Sequence, residues 1–335
     1  MPIQAGFGNG SFRTFGLTKR DGIRKTSVID YLIIAGGGGA DNGGGGGGGF
    51  RTGTSYPVSL GQYTVIVGGG GNGGYGNAGY VQTSGANSGF WNVTTSLWST
   101  GGGYGGTAYD SPRGYGAPGG SGGGGGTDQN GTGTAGLGNA GGYTPSEGNT
   151  GGTGGSNNQN FRHGGGGGGA GAVGANGWQD PGPLQGVGGN GAIGLASSYS
   201  GTPVIYSGGG GSQGLITTYR SSGGAYAGDS PDGTSRNAPS GLSSAPGGAG
   251  DGALGTTTNG GEGLANRGGG GGGTMNGTIV ASPASPGGVR GGQGGSGLVI
   301  IRFPSNFAAA DTTGSYSEIN GYRVYTFTGS GTLTF

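Results

Sequence analysis

Seven consecutive glycines, Gly43 to Gly49, follow closely on a short apolar segment, Tyr31–Ala35. An apolar strand that runs into glycines is how a dinucleotide-binding unit begins, but that unit needs a helix directly after its loop. Each glycine in a helix interior costs about 1 kcal/mol relative to alanine, so this run forbids the helix. The sequence therefore excludes a dinucleotide-binding unit at this position.

Glycine also dominates the composition of the whole chain. It accounts for 105 of 335 residues, while 29% of the residues are hydrophobic and 8% are charged. Ordinary soluble domains have roughly 45–50% apolar and 25% charged residues, so a conventional core of matching size cannot form. Collagen would require a strict three-residue glycine period with abundant proline, yet the period is broken throughout and there are only 14 prolines.

Four segments rich in β-branched and aromatic residues predict strands near the two ends of the chain. The last of them turns at its TGSGT stretch and is predicted to form a closing hairpin. We expect these strands to form one β-rich base from 27–67 and 296–335, with 68–295 as a single insertion. The predicted strands are Ser27–Gly36, Gly61–Gly69, Ser296–Phe303 and Gly321–Phe335.

The insertion alternates glycine runs with polar, turn-forming stretches. In polyproline-II geometry glycine forms a threefold helix with a rise of about 3.1 Å and no internal hydrogen bonds. Every N–H and C=O must then find a partner on a neighbouring segment. We predict a mostly β and irregular fold with essentially no α-helix, in which a small β-sandwich-like base carries a polyglycine-II helix bundle with exposed loops. Silk-like β stacking is the alternative.

Catalytic and metal-binding patterns are scarce. His163 is the only histidine and there is no cysteine, so neither a zinc site nor a catalytic triad in a nucleophile elbow is indicated. Asp41 and Asp128 occupy the aspartate place of a calcium-binding glycine repeat, but both matches lack its apolar residue and are interpreted as chance. We predict no enzyme activity, no cofactor and no metal, although a chance carboxylate pair would suit a depolymerase.

Aromatic side chains in glycine-rich and polar surroundings are the candidates for recognition. Tyrosine and tryptophan supply contact area at low entropic cost, and their faces suit stacking on sugars. The alternative is that these rings seal the bundle against its loops. The candidate receptor contacts are Trp91, Trp98, Tyr104, Tyr109, Tyr115, Trp178, Tyr219 and Tyr226.

Basic residues are concentrated at the start of the chain, although the net charge is only +1. Such a patch suits an acidic partner surface, and a solvated arm is the alternative reading. With so little net charge we predict no nucleic-acid partner, and no apolar run is long enough to span a bilayer. The basic residues of this patch are Arg13, Lys19, Arg20, Arg24 and Lys25.

Several motifs along the chain carry a resemblance to a known family. The series YLIIAGGGGA, GGGGFRTG, GQYTVIVGGGGNGG, GGSGLVIIRF and the closing GYRVYTFTGSGTLTF resembles the glycine-rich domain of bacteriophage virion structural proteins, notably those of marine and cyanobacterial phages. The resemblance covers 27–335. The interior is similar in kind to the polyglycine-II bundles of tail-fibre tip adhesins, whose distal loops contact the host receptor.

This resemblance implies a virion protein made in the host cytoplasm, and the absence of a signal peptide is consistent with that expectation. The first expectation is a tail-fibre or fibre-tip adhesin that binds a host receptor, with a polysaccharide as the candidate receptor. Residues 1–26 are expected to form an arm that attaches to another virion protein such as a fibre shaft, tail or capsid. A homo-oligomer is a further expectation. The alternatives are a head-decoration or other virion structural protein, a depolymerase, and an ice-binding or cell-wall glycine-rich protein.

Overall fold

A computed structural model describes residues 24–74, 81–107, 114–128, 131–157, 161–180, 185–213, 247–252, 259–274 and 289–335. Over these residues the chain is strand or irregular and has no α-helix, which confirms the predicted class. The strands are β1 Val28–Ile34, β2 Phe50–Pro57, β3 Gln62–Ile66, β4 Ser88–Trp91, β5 Ser96–Ser99, β6 Thr127–Asp128, β7 Gly131–Thr132, β8 Gly155–Asn157, β9 Phe161–His163, β10 Trp178–Asp180, β11 Gln185–Val187, β12 Leu195–Ser197, β13 Val204–Tyr206, β14 Leu298–Pro304, β15 Asp311–Thr312, β16 Ser315–Ile319, β17 Tyr322–Phe327 and β18 Gly331–Thr334.

The first sheet has five antiparallel strands in the order β16-β17-β14-β1-β2. Strand β1 lies between β14 and β2, so strands from the two ends of the sequence pair directly, as predicted. Both faces of β1 are buried, because Ile33 belongs to one apolar cluster and Ile34 to another. This burial explains why the strand is apolar at successive positions rather than at alternate ones.

The second sheet, in the order β15-β18-β3-β4-β5, shares an apolar cluster with the first. Ile33, Val299 and Tyr325 reach this cluster from the first sheet, and Tyr63 and Phe90 reach it from the second. The Tyr63 and Phe90 rings stack with their centroids 4.6 Å apart. Both five-stranded sheets are therefore held by one core.

The predicted closing hairpin is wrong. Strand β17 pairs with β14 and β16 in the first sheet, whereas β18 pairs with β3 and β15 in the second. The turn between them therefore carries the chain from one sheet to the other. Phe327 and Leu333 are buried in the same core cluster from opposite sheets, and this shared burial favours the crossing over direct pairing.

Five strands of the two sheets were not predicted, namely β2, β4, β5, β15 and β16. Strand β2 is largely exposed and mostly polar, so it lacks the apolar alternation of a typical strand. Strands β4 and β5 form an antiparallel hairpin whose turn is held by the side chain of Asn92. This hairpin lies within the predicted insertion of 68–295 and pairs with β3. The domain boundaries themselves remain a prediction.

Between the strands, glycine segments run as extended chains bonded to one another. In the segment 43–49 the direction of the N–H groups repeats every three residues. Gly43, Gly46 and Gly49 donate to the carbonyl oxygens of Gly106, Gly103 and Thr100, in antiparallel order. Two further sets of donors go to two further neighbours: Gly44 and Gly47 to Gly165 and Gly168, and Gly45 and Gly48 to Gly271 and Gly268.

The carbonyl groups of the same segment bond to three other neighbours. The carbonyl oxygens of Gly46 and Gly49 accept from the N–H groups of Gly38 and Ala35. Those of Gly44 and Gly47 accept from the N–H groups of Gly124 and Ser121. That of Gly45 accepts from the N–H group of Gly210. Six neighbouring segments therefore surround one central segment, and they bond to all seven of its N–H groups and to five of its seven C=O groups without side chains. A Cβ added at Gly45 would overlap the carbonyl oxygen of Gly38, so only glycine fits there.

The outer face of the first sheet is covered by the hairpin of β12 and β13. Leu32, Ile300 and Tyr206 share the second apolar cluster there. Beside it, the Arg302 guanidinium lies 3.7 Å from the Tyr199 ring centroid and 4.4 Å from that of Tyr322. The hairpin thus ties the glycine segments to the sheet.

Candidate binding surface

The glycine segments have two distinct ends. At one, which we call the sheet end, Ala35, Gly49 and Thr100 adjoin the strands. At the other, the tip end, Asp41 and Asn42 form the turn between the segments 36–40 and 43–49. The two ends present different chemistry, because the sheets occupy only one of them.

Most connections outside the described residues begin and finish at the tip end. Backbone hydrogen bonds place the residues that flank these connections at the tip end. The bonds run from Gly74 to Ala40, from Thr274 to Asp41, from Gly126 to Gly114, from Gly177 to Thr153 and from Gly260 to Arg290. Seven segments have both flanks at this end, namely 75–80, 108–113, 129–130, 158–160, 181–184, 253–258 and 275–288. The segment 214–246 differs, because one of its flanks is at this end and the other, Gly247, lies near Gly208. The tip end is therefore where most of these turn-rich connections are anchored by their described flanks.

Two of the candidate aromatic residues are exposed at the tip end. Trp178 in β10 is 51% exposed and Tyr115 is 46% exposed. Trp178 follows Gly177, which packs against His163 and Gly164, and Tyr115 follows Gly114, which accepts from Gly126. Both rings therefore offer a face to a ligand that approaches this end.

The remaining described candidates lie elsewhere. Trp91 and Trp98 are in β4 and β5 of the second sheet, and the Trp98 indole packs over Gly89 and donates to Ser96. Tyr104 is half-buried partway along a glycine segment, where its backbone bonds to Ala117. The structure therefore does not bring the eight candidates together. Tyr109, Tyr219 and Tyr226 lie outside the described residues.

The basic candidates that are described lie on the opposite side of the sheets. Arg24 and Lys25 are exposed and precede β1, which runs from this pole towards the glycine segments. The Arg24 carbonyl accepts from Ala308 at 2.8 Å, beyond the distal end of β14. Phe335 lies at the same pole, bonded to Gly61. Arg13, Lys19 and Arg20 lie outside the described residues.

Beneath the exposed aromatics, the tip end contains a layer of buried polar side chains that sequence reasoning missed. Its members share almost complete burial although they adjoin the connecting segments. They are Asp41, Asn42, Gln82, Thr107, His163, Ser212, Gln213 and Thr274. The signal available in the sequence was an Asp-Asn pair set between two glycine runs, which forms the tightest turn of the central segment.

The two ionisable groups of this layer are perturbed by their burial. Burial raises the pKa of the Asp41 carboxyl from its usual 3.8 to about 7. Burial also lowers the pKa of the His163 imidazole, whose Nδ1 has no hydrogen-bond partner among the described residues. Both shifts have the same cause, since burial disfavours the charged form of each group.

No catalytic constellation emerges from the described ranges. Within them no group of three or more His, Cys, Asp and Glu side chains is arranged to hold a metal ion. A search of the same residues for a helix long and apolar enough to cross a membrane also finds none. Exposed aromatics, exposed basic residues and the buried polar layer are the features with functional potential.

Comparison with known proteins gives one match. A family model described as a glycine-rich domain matches residues 21–304, which is most of the chain. Neither the curated proteins nor the solved structures contain a match.

Proposed function

Because the chain belongs to the glycine-rich domain family, we propose that it is a non-enzymatic structural protein of a bacteriophage virion. Its most specific proposed role is that of a tail-fibre or fibre-tip adhesin that binds a host-cell surface receptor. One observation carries this role: the described flanks of most connections and two exposed aromatic rings lie at one end, and exposed basic residues lie at the other. An adhesin needs this separation between receptor contact and attachment.

The proposed scaffold is a polyglycine-II bundle on a small β-sandwich base. The three-residue repeat of bonding directions in 43–49 supports it, because a threefold helix turns by a third of a circle at each residue. The six neighbours of this segment also support it. Silk-like stacking would instead direct the N–H groups alternately to two neighbouring strands.

A polysaccharide of the host surface is the proposed receptor class. Trp178 and Tyr115 supply exposed aromatic faces, and neighbouring segments are rich in Ser, Thr, Asn and Gly, which supply hydrogen-bonding groups. Only 8% of the whole chain is charged. Uncharged, polar and aromatic surfaces suit sugars better than phosphate-rich ligands.

At the opposite pole, 1–26 is proposed to attach the protein to another virion component. Arg24 and Lys25 are exposed there, which supports contact with an acidic surface of a fibre, tail or capsid protein. The protein would be made in the host cytoplasm and incorporated into particles before release.

Immunogold labelling of intact particles with antibody against this chain tests the location. Label at the tail or fibre ends is the result expected of an adhesin. Label over the head would overturn the adhesin and favour the alternative, a head-decoration protein docked through the same arm. Particles that stay unlabelled, with the epitope shown to be accessible, would contradict the virion assignment itself.

Binding of the purified chain to cells of the strain that supports the particle tests the receptor surface. We expect Trp178→Ala to weaken cell binding about 10-fold or more, since losing a stacked ring costs about 1–3 kcal/mol. Trp91→Ala is the matched control, because Trp91 is 38% exposed but lies in the sheets. Equal loss in both variants would contradict a receptor surface at the tip end.

A further inference from the structure

The two five-stranded sheets have four edge strands, and three of them are blocked against pairing with another chain. At β2, the N–H of Phe50 donates to the Glu147 carbonyl at 2.8 Å, and the left-handed φ of Ser55 interrupts the strand. At β5, the Trp98 carbonyl accepts from the Arg51 side chain at 2.7 Å. Strand β15 has only two residues. Natural sheets protect their edges with devices of this kind.

The fourth edge, β16, has none of these protections. It contains five residues, Ser315–Ile319, and four of them are exposed. The strand has no proline and no left-handed residue. Among the described residues, its backbone hydrogen bonds join it to β17 alone. The other side of β16 is therefore a regular strand edge that is open to a further strand.

The turn that follows β16 shows which of its residues bond to β17. Asn320 and Gly321 have positive φ angles of 50° and 80° and connect Ile319 directly to Tyr322. A two-residue hairpin turn of this kind closes with the flanking residues as a hydrogen-bonded pair. Ile319 and Tyr322 are therefore such a pair, and the ladder between β16 and β17 can be counted from them.

Hydrogen-bonded and non-hydrogen-bonded pairs alternate along an antiparallel ladder. Ser317 and Ser315 stand at alternate positions before Ile319, so they bond to β17 as well. The N–H and C=O groups of Tyr316 and Glu318 point to the open side instead, where they have no partner among the described residues. The open edge thus offers two residues with free backbone groups, one on either side of Ser317.

These free groups match those of a second copy of the same strand. When two copies of β16 run antiparallel with Ser317 on a two-fold axis, Tyr316 of each copy lies opposite Glu318 of the partner subunit. Both residues of such a pair present an N–H and a C=O group, so they can exchange both hydrogen bonds. Ser317 then faces its own copy as the non-hydrogen-bonded pair. A two-fold axis at Tyr316 or Glu318 would keep only one bonded pair within the strand, so Ser317 is the favoured centre.

The side chains of this edge are also compatible with a second copy. The Tyr316 hydroxyl donates to Glu318 Oε1 at 2.5 Å on one face of the strand. The same carboxylate is paired with Arg323, so two copies bring together no unpaired like charges. Tyr316 is 43% exposed, and tyrosine is a residue that often anchors the centre of an interface.

We propose that the free chain forms a two-fold dimer through β16, which joins the first sheets of two copies into one continuous sheet. An open strand edge that accepts a further strand is a common mode of recognition, and a two-fold contact uses the same surface on both copies. The inference does not rest on the proposed function. Because the paired strands are antiparallel, the two tip ends point in opposite directions. A copy attached to a particle at its pole, with its tip end outward, would therefore have left this partner.

The mass of the purified full chain in solution tests the dimer. Light scattering after size exclusion should give about twice the 31.5 kDa of one chain at high protein concentration. Ser317→Lys should reduce this mass to that of one chain, because two ammonium groups would then face each other across the axis. Ser84→Lys is the matched control for an added charge, because Ser84 is exposed on a glycine segment outside the sheets, and it should keep the doubled mass.

Cysteine cross-linking tests the register. The chain has no cysteine, so Ser317→Cys introduces a single thiol. Across the axis the two Cα atoms would be about 4.5 Å apart, which is within the range of a disulfide. We expect a covalent dimer on a non-reducing gel after treatment with oxidised glutathione. Ser315→Cys is the matched control in the same strand, because its two copies would lie about 13 Å apart and should not cross-link.

The proposal is overturned if the parent chain has the mass of one copy at every concentration, or if Ser317→Lys keeps the doubled mass. It is also overturned if Ser317→Cys does not cross-link, or if Ser315→Cys cross-links as readily. Residue 317 is exposed, and thermal melts by circular dichroism check that each variant is folded like the parent chain.

Discussion

At the scale of single residues, the glycines of the central segments are required by space rather than by backbone angle. None of Gly36–Gly39 or Gly43–Gly49 has a φ in the left-handed region, so alanine could adopt their backbone conformation. What excludes alanine is the close approach of neighbouring carbonyl groups at nearly every such position.

Gly45→Ala tests this claim. Its added methyl would overlap the Gly38 carbonyl oxygen, and we expect the free energy of unfolding to fall by about 3 kcal/mol or more. Gly69→Ala is the matched control, because a Cβ there has no heavy atom within 4 Å. That variant should be more stable by about 0.4–1 kcal/mol, because alanine restricts the unfolded chain. Urea titrations of both variants give the comparison.

Asp41 predicts a pH dependence of stability with a definite sign. Its pKa is raised in the folded protein, so between about pH 4 and pH 7 the folded state binds more protons than the unfolded state. The contribution of this group to the free energy of unfolding is therefore complete below about pH 4 and is lost as the pH rises to 7. The total loss is about 4 kcal/mol. Asp41→Asn should remove that slope.

The measurement is the free energy of unfolding at closely spaced pH values, for the parent chain and Asp41→Asn. A difference between the two that does not change between pH 4 and pH 8 would contradict the assignment. Asp311→Asn serves as the control for a change in surface charge, because Asp311 is exposed.

At the scale of elements, one cation adds to the apolar contacts that dock the β12–β13 hairpin on the first sheet. Arg302 lies between the rings of Tyr199 and Tyr322 and bonds to Asp30 at 3.1 Å. We expect Arg302→Met to lower the free energy of unfolding by about 2 kcal/mol, because a largely desolvated cation is lost from two rings and a carboxylate.

Arg290→Met is the matched control for the loss of an arginine ion pair. Its pair with Glu262 is more exposed than that of Arg302, and such pairs contribute at most about 1 kcal/mol. Equal denaturation midpoints for the two variants would show that the ring contacts of Arg302 add nothing.

The sequence predicted those elements whose apolar residues are consecutive or strictly alternate. Strands β1, β3 and β17 fall within the predicted segments, and β14 passes the end of its segment by one residue, Pro304. Their buried faces leave a clear pattern. Strand β2 could not be predicted in this way, since it is an exposed edge with Ser55 in the left-handed region. The pairing of β18 depends on a core formed by both sheets, which no local pattern reveals.

The candidate site was only partly accessible from sequence. Exposure of Trp178 and Tyr115 followed from aromatic residues in polar surroundings, but the same pattern surrounds Trp91 and Trp98, which lie in strands. Distinguishing the two groups requires knowing which strand each segment joins. The buried layer around Asp41 arises from long-range convergence of segments, so its burial could not be predicted locally.

At the scale of the whole molecule, sheets and glycine segments are continuous parts of one bonded structure. The segment 35–49 leaves the first sheet through β1 and returns through β2, and it bonds on the way to segments drawn from along the insertion. We therefore expect the sheets and the glycine segments to unfold together in one transition.

Tryptophan reporters test this expectation. Trp98 lies in the second sheet and Trp178 in β10 at the tip end. Variants that retain only one of the two, with the other tryptophans changed to phenylalanine, should give the same thermal midpoint by fluorescence. A lower midpoint for the Trp178 reporter would show instead that the glycine segments melt before the sheets.

The three-residue repeat of bonding directions also limits how these segments can change in length. Inserting one residue into 43–49 would rotate each following N–H by a third of a turn, away from its present acceptor and towards the wrong neighbour. Inserting three residues would restore every direction after one complete turn, at about 9 Å of added length. Lengthening of the glycine segments is therefore expected in steps of three, shared by neighbours, while the connections at the tip end are free to vary by any number.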